Sequence, residues 1–166
     1  MLMLRRCVVA PDHFDATLVL PFESRQKSRL ATQLPSGETV SMQLPRGTVV
    51  RGGNYLAADD GRIVRVIAAD EAVMDAQCMH PDDLARCAYH LGNRHTPVQV
   101  GAGFLRFARD DVLATMLRGL GASVVEVSAQ FEPEAGAYAG GHRHHADDPA
   151  HRGIIHDMID RARQAS

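Results

Sequence analysis

Histidine is the residue type whose placement in this chain suggests chemistry. Five of the nine, His142, His144, His145, His151 and His156, fall between positions 142 and 156, against four in all the preceding sequence. Imidazole is the commonest side-chain ligand for borderline divalent metals, and nickel, copper and zinc all accept it. A flexible run of imidazoles can wrap an ion without a preformed cage. The other reading of the same cluster is a polar tail in which histidine stands in for other hydrophilic residues.

His95 is placed differently. In "AYHLGNRHTPVQV", residues 88–100, helical spacing runs to Leu91, Gly92-Asn93 is the expected stop, and Pro97 biases Thr96 toward an extended backbone. The imidazole then sits on a short, stiff connection rather than on a helix face. One histidine makes a poor site. A two-fold dimer with this connection on its axis would bring two copies of His95 together, because an isologous interface repeats every residue. The competing reading is a solvated, capping histidine. His90, late in the same helix, is read as capping or packing, and His13 and His80 are assigned no function.

Patterns of catalysis are missing: no G-x-S-x-G, no phosphate-binding glycine loop and no H-E-x-x-H. The acid pairs Asp59-Asp60, Asp82-Asp83 and Asp110-Asp111 fall at turns or helix starts, where a local role suffices. The expectation is a binding protein and not an enzyme.

Two domains must position these histidines. Residues 1–72 read as all-β, a sandwich or open barrel, from short runs "TLVLPF", "RLATQL", "TVSMQL", "GTVVRG" and "RIVRVIAA" separated by "PSGE", "PRG" and "ADDGR". Residues 73–138 read as β-α-β-β-α-β, a ferredoxin-like domain. Its helices are "HPDDLARCAYHLG", with Pro81 in the first turn, and "DDVLATMLRGLG". Residues 139–166 read as a flexible tail, with a short helix possible over "IIHDMIDRARQ". Arg25, Lys27 and Arg29 read as a solvated basic cluster, open to an acidic partner.

A net charge of −2 and 5% aromatic residues give no reason to expect nucleic acid. Cys7, Cys78 and Cys87 are spread along the chain without a C-x-x-C, so ordinary core cysteines in a reducing compartment are expected. No run is long enough to span a bilayer, and Pro11 and Asp12 interrupt the apolar start too early for a signal peptide. These points imply a cytoplasmic protein without membrane association.

The segments "LPRGTVVRGGNYLAADDGRIVRV", "ARCAYHLGNRHTPVQV", "LATMLRGLGASV" and "FEPEAGAYAGGH" carry a resemblance to the urease accessory protein UreE family, which are nickel metallochaperones. The resemblance implies an N-terminal β domain and a ferredoxin-like metal-binding domain through which a homodimer forms. It further implies nickel held at the dimer interface by the histidine of "GNRH", which is His95. His142, His144 and His145 match the family's histidine-rich end. The implied work is delivery of nickel to apo-urease together with the urease accessory GTPase. Some members carry extra histidines where this chain has Ala108, Arg109, Asp110 and Asp111, so a secondary site there is not expected. Histidine chemistry alone leaves copper or zinc as competitors. The alternative function is a dimeric protein-binding module in which metal is incidental.

Overall fold

The computed structural model describes residues 1–135. His142, His144 and His145, and the helix expected near the C-terminus, lie outside those residues. The first half folds as β1 (Leu2–Val8), β2 (Ala16–Leu20), α1 (Phe22–Arg25), β3 (Arg29–Gln33), β4 (Thr39–Gln43), β5 (Tyr55–Ala58) and β6 (Ile63–Ala68). The six strands form one mixed sheet in the order β2-β6-β5-β1-β4-β3. Two hairpins, β3–β4 and β5–β6, turn through Gly37 (φ 85°) and Gly61 (φ 91°), where only glycine is free of a Cβ penalty.

Alternation sends Leu2 and Leu4, Leu18 and Leu20, Val40 and Met42, Leu56, and Val64 and Val66 into one buried cluster. A single sheet that encloses its own core must curl, so the expected open barrel is the outcome. Three local expectations are corrected. "GTVVRG" is loop, although its Val50 is fully buried. Phe22 opens a helical turn instead of ending a strand. β1 and β5 are strands that sequence reading passed over: Arg5 and Arg6 break the alternation of β1, and half of β5 is alanine.

A surface ion cluster ties the tips of the two hairpins. Arg62 donates to Glu38 at 2.7 and 2.8 Å and to Asp60 at 2.8 Å. The Arg62 side chain holds the Glu38 carboxyl below its usual range, and the Arg62 backbone and side chain do the same for Asp60. A carboxyl depressed by folding stabilises the protein above its unfolded pKa and loses that contribution as pH falls through the folded value. Arg62→Ala is therefore expected to be less stable than the native chain near pH 6, with the gap closing as pH drops from about 5 to about 3. Urea unfolding at each pH measures it; a gap independent of pH would show that these contacts contribute nothing electrostatic.

The second half comprises β7 (Asp70–Gln77), α2 (Pro81–Gly92), β8 (Val98–Gly101), β9 (Phe104–Ala108), α3 (Asp111–Gly119) and β10 (Ser123–Gln130). The sheet order β10-β7-β9-β8, antiparallel throughout, is the ferredoxin-like arrangement. α2 starts with Pro81 and two acids in its first turn. α3 is capped by Asp110, whose carboxylate accepts from the N–H groups of Val112 and Leu113, both at 2.9 Å. Cys87 and Leu91 of α2 and Leu113, Ala114 and Leu117 of α3 pack onto Met74, Ala76, Leu105, Phe107 and Val124, so both helices cover one face.

Val73, on the opposite face, joins Phe22 and Phe131 in a smaller buried cluster. The Phe22 and Phe131 rings meet edge to face with centroids 5.3 Å apart. That contact brings α1 against the segment that follows β10. Among the described residues, no helix is long and apolar enough to cross a membrane.

Candidate metal centre

The end of α2 sets the backbone of His95. The helix stops at Gly92 with Asn93 at its cap, as expected, but Asn93 keeps right-handed angles (φ −61°, ψ −17°). The chain reverses three residues beyond Gly92. His95 N–H donates to Gly92 O at 2.9 Å, and Thr96 N–H to Leu91 O at 3.4 Å. This is a Schellman closure, in which the residue after the cap must be left-handed. That residue is His95, with φ 53°.

Glycine usually fills such a position, because a Cβ there costs roughly 1–2 kcal/mol. His95 is the one non-glycine residue with positive φ among the described residues. Strain of this kind persists where surroundings enforce it, and it concentrates at functional sites. The surroundings are firm. Leu91 is fully buried beneath the turn, and Arg94 donates from its side chain to His90 O at 3.0 Å. The His95 side chain is exposed. His90 is half-buried with its ring edge-on to Tyr89, centroids 5.4 Å apart, which fits the packing role expected of it.

The chain leading to the C-terminal histidines starts beside this turn. Glu134 N–H donates to Val98 O at 2.8 Å, and Glu132 N–H to the Gln99 side chain at 2.9 Å, so "FEPE" runs along β8. Its carboxylate is gripped from the first sheet's side. Glu132 accepts from Arg25 at 2.6 Å, from Gly52 N–H at 2.7 Å and from Arg51 at 3.2 Å. Arg25 also donates to Phe131 O at 2.6 Å and Leu20 O at 3.1 Å, and Arg51 to Pro133 O at 2.6 Å. A Cβ on Gly52 would crowd the Glu132 carboxylate, at 2.9 Å.

Arg25 is thus the clearest departure from the sequence reading. Expected on a solvated basic face, it is fully buried. Lys27 and Arg29 do face outward, and with Arg46 they line an open cleft of about 380 Å³. The cysteine reading also changes. Cys78 and Cys87, nine residues apart, bring their sulfurs within 3.8 Å. Cys87 is buried as expected, while Cys78 is half-buried.

Within the described residues no group of three or more His, Cys, Asp or Glu side chains is placed to hold a metal. His95 therefore belongs to no such group within this part of its own chain. His142, His144 and His145 lie outside the described residues, and the structure does not bring them to His95 or keep them from it.

Comparison with known proteins decides the family. Residues 5–69 match the family model described as the UreE urease accessory protein N-terminal domain, and residues 71–157 match that of its C-terminal domain. The chain belongs to the UreE family of urease accessory proteins. The C-terminal UreE match runs past the described residues and across His142, His144 and His145.

The UreE urease accessory protein of Nitrosospira multiformis is 57% identical over 148 residues, 89% of this chain and 84% of that protein. That of Paraburkholderia xenovorans is 58% identical over 132 residues, 80% of this chain but 59% of the relative's length. That of Burkholderia vietnamiensis is 56% identical over 131 residues, 79% of this chain and 66% of that protein. The chain thus spans less than two thirds of the length of the latter two UreE proteins. UreE proteins are accessory to an enzyme, urease, in keeping with a chain that carries no catalytic pattern.

Proposed function

We propose that this protein is a cytoplasmic nickel carrier that holds Ni²⁺ at a dimer interface and hands it to apo-urease, in company with the urease accessory GTPase. In this reading the domains are residues 1–72 (partner or peptide binding), 73–138 (metal binding and dimerisation) and 139–166 (a histidine-bearing tail). His95 and its two-fold mate hold the ion. His142, His144 and His145 complete and exchange the shell.

The observation that supports this most is the backbone of His95. A histidine occupies an exposed left-handed position that glycine would fill at lower energy. A ligand held on such a turn is aimed by the helix beneath it, and an isologous interface would double it. Tyr89 and Val100, 65% and 52% exposed on the neighbouring α2 and β8, offer apolar surface for that interface. Seven residues lie between Glu134 and His142, so the eight steps from one to the other span up to about 28 Å when extended.

The chemistry suits a donor. Neutral imidazoles give nickel borderline ligands that exchange, whereas a closed thiolate cage suits structural zinc. Copper binds such ligands more tightly and zinc competes, so cellular supply and partners must select nickel. The protein itself catalyses nothing in this scheme; it moves an ion by ligand exchange.

Nickel titration calorimetry tests the proposal on the full chain, on His95→Ala and on a chain ending at Tyr138. About one ion per dimer with a Kd near 1 μM, worth roughly 8 kcal/mol, is expected for the native protein and is lost in His95→Ala. Loss only in the shortened chain would move the primary site to the tail. Equal binding by all three, or by none, would leave a protein-binding module as the better account.

A further inference from the structure

Cys78 and Cys87 form a dithiol that neither the family match nor the proposed nickel site uses. Cys78 follows the last residue of β7, and its N–H donates to Gly103 O at 3.2 Å, which fixes its backbone against the β8–β9 turn. Cys87 lies on the inner face of α2, fully buried in the core of the second sheet. The strand end and the helix bring the two sulfurs to 3.8 Å, within van der Waals contact. The pair also has a way in. Cys78, Gln77, Gly103, Phe104 and Ser123 line an open cleft of about 340 Å³ at this end of the sheet.

We propose that Cys78 and Cys87 are a redox modification site, at which a hydroperoxide entering by the Cys78 cleft converts the dithiol to an intramolecular disulfide. The order of events follows from access. Cys87 is shielded, and burial, with the Cys78 sulfur next to it, pushes its thiol up to about 11, so it remains protonated. Cys78 is the sulfur an oxidant reaches first.

Its sulfur attacks the peroxide and breaks the O–O bond. Cys78 becomes a sulfenic acid, and the departing oxygen leaves as water or an alcohol. Cys87 sulfur then attacks the Cys78 sulfur; the S–O bond breaks, and the hydroxyl leaves as a second water with the Cys87 proton. Two sulfurs lose one electron each and the peroxide takes up both. The sulfurs must close from 3.8 Å to a bond of about 2.05 Å. The product ties the end of β7 to α2, the helix that leads into the turn bearing His95. Reaction at this site does not depend on whether His95 binds nickel.

The test uses the full chain, reduced and freed of reductant, then treated with hydrogen peroxide, unfolded and alkylated. Alkylation is expected to fall from three thiols to one, leaving Cys7. A non-reducing peptide map should show Cys78 joined to Cys87, and dithiothreitol should restore all three. In Cys87→Ala, dimedone should trap a sulfenic acid on Cys78. Should that core substitution prevent folding, Cys78→Ser at the half-buried site serves instead, and Cys87 must then stay alkylatable after peroxide. Retention of all three thiols, irreversible oxidation of Cys78, or disulfides only between chains through Cys7 would overturn the proposal.

Discussion

Replacing His95 by glycine is expected to stabilise the protein by about 1 kcal/mol and at the same time to abolish its nickel binding. The two effects have separate causes. Stability rises because φ 53° places the residue where a Cβ crowds the backbone, and glycine has none. Binding falls because the imidazole is gone. An accompanying series distinguishes the terms: asparagine, which tolerates this backbone, should fall between glycine and histidine in stability, while alanine should gain nothing.

All three variants should lose nickel binding by about 100-fold or more, a change of roughly 2.7 kcal/mol. Chemical denaturation at one fixed protomer concentration gives the first quantity and calorimetry the second. The chain has no tryptophan, so circular dichroism is the natural probe of unfolding. A glycine variant no more stable than the native chain would remove the strain argument. A glycine variant that still binds nickel normally would remove His95 from the site.

The second large effect concerns Arg25. Arg25→Ala is expected to cost about 3–5 kcal/mol, a large share of the total stability of an ordinary domain. The guanidinium is fully buried and answers three acceptors: Leu20 O, Phe131 O and the Glu132 carboxylate. Removing it strands those oxygens and leaves Glu132 with Arg51 and the Gly52 N–H. It also takes away a cation lying 5.5 Å from the Phe22 ring centroid.

Arg51→Ala is the useful control. Arg51 is 30% exposed and water can replace it, so a loss of about 1 kcal/mol is expected. Hydrogen exchange adds a local reading. The Glu132 and Glu134 amides, bonded to the Gln99 side chain and to Val98 O, should exchange faster in Arg25→Ala by more than the global loss explains. Equal costs for Arg25→Ala and Arg51→Ala would mean that burial adds nothing to this clamp.

What the sequence determined by itself was whatever depends on neighbours along the chain. The period of the apolar residues marked α2, α3 and most strands, though not the single turn of α1. Gly37 and Gly61 marked hairpin turns because only they take φ near +90° at no cost. Pro81 and Asp110 marked helix starts through the missing N–H of one and the capping carboxylate of the other. His95 drew attention because it follows a helix end and precedes a proline.

Tertiary structure decided the rest. Arg25 looks like a surface cation in any short window, and only Glu132, 107 residues away, makes its burial tolerable. Cys78 follows a strand and Cys87 lies within a helix, so their spacing says nothing about adjacency until the end of β7 and α2 are packed together. The left-handed turn at His95 is a compromise of the same sort. The helix stops at Gly92-Asn93 as local preference favours, with Leu91 in the core, but the left-handed residue of the closure falls on a histidine, in the conformation that glycine prefers.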